Sequence, residues 1–97
     1  MSRRRAAFKL RLYIADHTQN SESARANLMS ICKEYLAGRC EIEIIDVLTD
    51  PERAFDDRVL MTPTLVRLSP LPVRRIVGTL SPTPAVLDVL GVESKSA

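Results

Sequence analysis

Two runs of alternating apolar residues flank a helical pattern in the first half of the chain, and this arrangement constrains the fold more than any other feature. Residues Phe8 to Ile14 alternate with the period of two that is typical of a β-strand, and Glu41 to Val47 repeat that pattern. Between them, apolar residues recur at helical spacing: Ala24, Leu28, Ile31, Cys32, Tyr35 and Leu36. Because a long helix separates the strands, they most simply form a parallel β-α-β unit with a right-handed crossover.

The ends of this helix and its buried face are also readable from the sequence. Asn20 or Ser21 can cap the first turn, and Gly38 can end the last one. The apolar positions of the strands and the helix predict a shared core, which we expect to contain Leu10, Leu12, Ile14, Leu28, Ile31, Leu36, Ile44 and Val47.

The second half of the chain predicts shorter elements. Asp50 and Pro51 suit the start of a helix that continues over residues 52–59. Two strand-like runs, 64–68 and 73–77, are separated by four residues that include two prolines, which favours an antiparallel hairpin. A last helix begins near Ser81 and ends at Gly91. The order β-α-β-α-β-β-α is that of a thioredoxin-like α/β fold.

The length and composition fit one domain. Ninety-seven residues with 45% hydrophobic content are too few for two cores. We therefore expect one thioredoxin-like domain over residues 8–91, preceded by a basic N-terminal arm over 1–7 and followed by a flexible tail over 92–97. The arm contains Arg3 to Arg5 and is expected to be solvated, with no specific nucleic-acid target. No apolar run is long enough to span a membrane, and the start lacks the features of a signal peptide, so we expect a cytoplasmic protein.

The few residues that could carry redox or metal chemistry are badly placed for it. Cys32 and Cys40 form neither a CxxC redox pair nor a zinc site, and Cys32 is expected to be a reduced packing residue, with a sensor thiol as the alternative. His17 is the one histidine, so no histidine cluster exists. A glutathione site using Thr18 or Ser21 is a further alternative. We expect no catalytic residue, no metal and no cofactor, and hence a binding module.

Four arginines form a cluster in the second half of the sequence. The guanidinium group suits carboxylate-rich protein surfaces, although solvated arginines on strand faces are the simpler interpretation. The cluster consists of Arg58, Arg67, Arg74 and Arg75.

Four short motifs then identify a family. "LYIA" at 12–15, "IDVL" at 45–48, "TPTL" at 62–65 and "PVRRIVG" at 72–78, in this order, resemble the KaiB family of circadian clock proteins. The resemblance extends without gaps from about residue 8 to residue 90.

The resemblance implies a function and a set of partners. KaiB-like proteins are non-enzymatic regulators that bind the RecA-like ATPase and autokinase KaiC, sequester KaiA and compete with the sensor domain of the histidine kinase SasA. They also switch between a thioredoxin-like form that binds and an alternative fold of the C-terminal half, which assembles into homo-oligomers. We therefore expect a KaiC-type ATPase ring as partner, KaiA-like or histidine-kinase proteins as further partners, and dimers or tetramers of the chain itself.

The matching positions imply the site residues. Pro51 and Arg58 belong to the helix that the binding form offers to the ATPase, and Arg74 and Arg75 belong to a basic strand that faces the partner. The residues Thr62, Pro63 and Pro72 match the segments that switch, with Pro63 expected to be cis in the binding form.

Two alternatives remain at this stage. A stand-alone domain similar to the SasA sensor would bind the same ATPase without changing fold. A thiol-dependent or glutathione-dependent enzyme would instead turn over a substrate.

Overall fold

The computed structural model describes residues 8–92, and the predicted order of elements is confirmed in that range. Four strands and three helices alternate as β1 (Phe8–Ile14), α1 (Gln19–Tyr35), β2 (Cys40–Asp46), α2 (Pro51–Asp56), β3 (Thr64–Ser69), β4 (Arg74–Val77) and α3 (Thr83–Leu90). The expected arm over 1–7 and all of the expected tail except its first residue lie outside the described residues.

One mixed sheet organises the chain, with strand order β2-β1-β3-β4. The strands β1 and β2 pair in parallel, whereas β3 is antiparallel to both β1 and β4. Leu12, at the centre of β1, lies opposite Ile44 on one side and Leu65 on the other. The parallel β-α-β unit, the hairpin and the thioredoxin-like α/β class that the sequence predicts are thereby confirmed.

The two faces of the sheet are covered unequally. The helices α1 and α3 pack on one face, where they bury the larger apolar cluster, including Leu28 and Leu90. Of the elements in residues 8–92, α2 alone lies on the other face, where its Ala54 packs against a small cluster with Tyr13, Ile45 and Val66. No helix in the described part of the chain is long and apolar enough to cross a bilayer.

Most of the predicted core is buried, and the exceptions lie in or just after one strand. Ile44 and Val47 are only half-buried, and Ile45 is the buried residue of β2. The reason is that β2 is an edge strand, so side chains on it have a neighbouring strand on one side only.

Three helix ends differ from the sequence-based expectation. The N-cap of α1 is Thr18 and not Asn20 or Ser21, since the Thr18 hydroxyl accepts a hydrogen bond from the Ser21 N–H. The helix α2 is shorter than predicted because Arg58 has a left-handed φ of 56°, which ends the helix. The helix α3 begins at Thr83, two residues after Ser81.

The C-terminus of α3 depends on a buried arginine. Arg67 is only 5% exposed and donates hydrogen bonds to the carbonyl oxygen of Leu90 at 2.9 Å and to that of Pro72 at 2.6 Å. The cation thus caps the negative end of α3 and fixes the β3–β4 connection. Val92, the first residue of the expected tail, is half-buried against the core.

We predict that the substitution Arg67→Met destabilises the domain. It leaves two carbonyl oxygens without their charged donor, so we expect the free energy of unfolding to fall by about 2 kcal/mol. Urea unfolding followed by circular dichroism measures this change. The matched control is Arg74→Met in the neighbouring strand, whose side chain is exposed; an equal loss in both variants would contradict the role given to Arg67.

Candidate functional site

The loop between β1 and α1, where redox proteins of this fold carry their CxxC motif, is occupied by a helix cap. The Thr18 hydroxyl donates to the Ser21 hydroxyl oxygen at 2.8 Å, and that oxygen also accepts from the Ala15 N–H at 3.0 Å. Ser21 is only 1% exposed. Both hydroxyls that a glutathione site would need are therefore engaged in holding the start of α1.

The two cysteines are held as thiols. Cys32 is buried and Cys40 is half-buried, and burial is the main reason why the pKa of each thiol is raised. Because the thiolate is the nucleophile in disulfide exchange, this environment disfavours thiol catalysis.

The opposite face of the sheet carries an exposed surface around α2 and the residues that follow it, which we call the α2 surface. Its apolar members Phe55 and Leu60 are 83% and 93% exposed, and Met61 adjoins them in sequence. Two open grooves share Phe55 and Asp56, and together they are lined by Pro51, Glu52, Phe55, Asp56, Arg58, Val59 and Leu60. Large apolar side chains exposed together in this way are typical of protein-binding sites.

A network of charged groups holds α2 on the sheet. Arg11 of β1 contacts the carboxylate of Asp57 at 2.9 Å and that of Glu43 at 3.1 Å. Arg53 of α2 contacts the second oxygen of Glu43 at 2.7 Å. The hydroxyl of the buried Tyr13 donates to the Asp57 carboxylate. These contacts connect β1 and β2 to Arg53 within α2 and to Asp57 directly after it.

The pKa values follow from these contacts. Burial raises the pKa of Asp57, but the hydrogen bonds from Tyr13 and Arg11 outweigh it and leave this pKa below its usual value. Burial and the hydrogen bond to Asp57 raise the pKa of Tyr13 to about 12. At neutral pH the contact among Tyr13, Asp57 and Arg11 therefore joins a neutral phenol, an ionised carboxylate and a guanidinium cation.

The four arginines that the sequence grouped together do not form one surface. Arg75 lies on the α2 side, where it donates to the carbonyl oxygens of Asp57 at 2.7 Å and Arg58 at 3.2 Å. Arg74 points to the other face, 3.9 Å from the carboxylate of Asp88 in α3. Arg67 is buried. Only Arg58 and Arg75 remain at the α2 surface, because successive residues of a strand face opposite sides.

The residues predicted to switch lie at the border of the α2 surface and in the hairpin. Thr62 precedes Pro63 through a cis peptide bond, and the buried Pro63 accepts a hydrogen bond from the Gly78 N–H at 2.9 Å. Pro72 is exposed in the β3–β4 connection and also follows a cis peptide bond. The structure places Thr62 and Pro63 directly after Met61, and Pro72 away from them at the far end of β3 and β4.

Sequence reasoning missed the apolar members of the surface. Phe55 follows the buried Ala54, and Leu60 and Met61 belong to a segment without regular structure. Only one signal was available: three large apolar residues lie in a stretch where neither a helical nor a strand period would bury them.

Comparison with known proteins agrees with the fold and supplies the family. A family model described as the KaiB domain matches residues 11–92. The circadian clock protein KaiB3 of Synechocystis sp. is 45% identical over 78 residues, which are 80% of this chain and 76% of that protein. The circadian clock oscillator protein KaiB of Synechococcus elongatus is 43% identical over 83 residues, or 86% of this chain and 81% of that protein.

Solved structures show the same architecture at low sequence identity. The N-terminal domain of Synechococcus elongatus SasA has a TM-score of 0.73 and 18% identity, with 100% of this chain and 93% of that chain covered. Mitochondrial thioredoxin 3 from Saccharomyces cerevisiae has a TM-score of 0.71 and 16% identity, with 88% and 78% covered. These likenesses establish a thioredoxin-like fold.

We predict that Tyr13→Phe loosens α2 and changes the response to alkaline pH. Loss of the hydrogen bond to a charged carboxylate should lower the free energy of unfolding by about 1.5 kcal/mol at pH 7. The raised pKa means that the phenol stabilises the folded state below its unfolded pKa of 10.0, and that this contribution disappears as pH rises toward 12. Urea titrations of both proteins from pH 7 to pH 11 should show the difference shrinking above pH 10. A difference that stays constant across this range would contradict the assignment.

Proposed function

The chain belongs to the KaiB family, and we propose that it is a non-enzymatic regulator that binds a KaiC-type RecA-like ATPase through the α2 surface. By binding, it modulates the phosphorylation or ATPase cycle of that partner in a circadian or stress-related timer. The observation that carries this conclusion is the exposed apolar surface of α2, next to the exposed guanidinium group of Arg58. The relatives are named as circadian clock proteins, which gives the class of process.

The α2 surface has the composition of a binding hot spot. Fully burying a Phe or Leu side chain contributes about 1.5–3 kcal/mol, and both Phe55 and Leu60 are available for it. Arg58 is exposed beside them and can donate to a partner carboxylate. Aromatic, aliphatic and arginine side chains grouped in this way dominate the affinity of many interfaces.

Rigidity of the surface supports the same function. An isolated six-residue helix is not stable in water, so α2 persists because the network around Asp57 and the packing of Ala54 fix it to the sheet. Arg75 adds hydrogen bonds to the carbonyl oxygens at the end of α2. Within the thioredoxin-like form the surface is therefore rigid, and a rigid surface loses less conformational entropy at the contact itself. Arg75 is therefore a positioning residue for α2, whereas Arg74, on the other face, is a weaker candidate for this contact.

The non-enzymatic assignment rests on the state of the nucleophiles. The thiols of Cys32 and Cys40 are held protonated, and the hydroxyls of Thr18 and Ser21 serve as a helix cap. A thiol-dependent or glutathione-dependent enzyme is accordingly the less favoured alternative.

Fold switching is a further part of the proposed function. The thioredoxin-like form described above is the binding form, and the C-terminal half also adopts a second packing, with Thr62, Pro63 and Pro72 in the segments that change. Support comes from the apolar residues that this half leaves exposed, since another packing or self-association could bury them: Leu60, Met61, Leu71, Val73 and Val77. A stand-alone domain similar to the SasA sensor, which binds without switching, is the second candidate, and its basis is the likeness in fold.

Mutation of the α2 surface tests the binding site. The substitution Phe55→Ser should weaken capture by a KaiC-type ATPase in the presence of ATP by about 30-fold, because a hot-spot side chain contributes 2 kcal/mol or more. The change should leave the unfolding transition in place, since the side chain is exposed. Size-exclusion chromatography and biolayer interferometry measure complex formation.

The matched control is Met29→Ser, which removes an exposed apolar side chain from α1 on the opposite face of the sheet. Equal weakening by the two substitutions would contradict docking through α2.

Sampling the mixture over time tests switching: slow, concentration-independent growth of the complex is expected, whereas complete binding at the first time point would favour the SasA-like alternative.

A further inference from the structure

The two cysteines of the chain lie on either side of the connection between α1 and β2. Cys32 lies in the last turns of α1, and Cys40 is the first residue of β2. A tight turn between them brings the backbone back on itself, since the Gly38 N–H donates to the Cys32 carbonyl oxygen at 3.0 Å. Gly38 has a left-handed φ of 71°, which allows this reversal.

Their side chains occupy the same region of the core. Cys32 is a member of the larger apolar cluster, and the half-buried Cys40 packs against that cluster. Each thiol also affects the pKa of the other, since Cys40 raises the pKa of Cys32 and Cys32 lowers that of Cys40. Neither thiol takes part in the α2 surface, which lies on the other face of the sheet.

We propose that Cys32 and Cys40 form a reversible intramolecular disulfide when the protein meets a small-molecule disulfide oxidant. The site is a redox-sensitive pair that ties the end of α1 to the start of β2. It is independent of the proposed binding function, because it lies on the face opposite α2.

The reaction consists of two exchange steps. Cys40, the less buried thiol, loses its proton, and its thiolate attacks one sulfur of oxidised glutathione; a mixed disulfide forms and one glutathione thiolate leaves. Cys32 then loses its proton and attacks the Cys40 sulfur, which forms the Cys32–Cys40 bond and expels the second glutathione. The pair loses two electrons and two protons, and the oxidant is reduced to two thiols.

Burial sets the speed of this response. Only the thiolate reacts, and both thiols have a raised pKa, so little thiolate is present at neutral pH. The rate should therefore increase about tenfold per pH unit while the pH remains below the pKa of the attacking thiol. Such a pair responds to lasting oxidation and ignores brief exposure.

The test is oxidation of the folded full chain with oxidised glutathione, followed by denaturation in N-ethylmaleimide and intact-mass measurement. The unmodified sequence should lose two hydrogen atoms and take up no maleimide, and dithiothreitol should reverse the change. The substitution Cys32→Ala should stop the reaction at a glutathione adduct on Cys40, whereas Cys40→Ala should prevent it. Circular dichroism confirms that both variants are folded.

Two results would overturn this inference. One is a lasting glutathione adduct on Cys40 in the unmodified sequence while Cys32 still takes up maleimide after denaturation. The other is a disulfide that forms only in denaturant. Capture by the KaiC-type ATPase, measured on the same oxidised sample, should change less than twofold; a failure of capture in both the oxidised and the reduced protein would count against the proposed function and not against the disulfide.

Discussion

The carboxylate of Asp57 is the group on which the exposed face of this protein depends. A four-stranded sheet covered by two helices on one side leaves the other side to α2, which is too short to hold itself in place. Asp57 receives the hydroxyl of Tyr13 and the guanidinium of Arg11, both from β1 at the centre of the sheet. Charge-assisted hydrogen bonds of this kind replace the apolar burial that α2, with Ala54 as its single buried residue, cannot supply.

The residues that hold α2 on the sheet are different from those that we propose to contact a partner. Side chains that anchor α2 point toward the sheet, while Phe55, Arg58 and Leu60 point away from it and contribute little to folding. The larger core between β1, α1 and α3 is a different part of the molecule. It contains the Thr18 cap of α1, the contacts of Arg67 with the end of α3, and the two thiols.

Residue periodicity predicted the strands, the helices and most of the core. The ion pairs between residues far apart in the sequence could not be predicted in this way. Alternation at Phe8–Ile14 and helical spacing from Ala24 to Leu36 decide the β-α-β unit locally, so the sheet topology and most of the core were predictable. The partners of Arg11 lie 32 and 46 residues away, and nothing in the sequence marks which acid meets which arginine. Strand alternation could have separated Arg74 from Arg75, but burial of Arg67 could not be foreseen, because it depends on carbonyl oxygens supplied by α3.

Hydrogen exchange measured by mass spectrometry, with and without a KaiC-type ATPase ring and ATP, tests the central claim most directly. If α2 is the docking surface, protection on binding should increase over residues 51–61 and remain unchanged over α1, because α1 lies on the opposite face of the sheet. Increased protection over α1 with no change over 51–61 would contradict the claim.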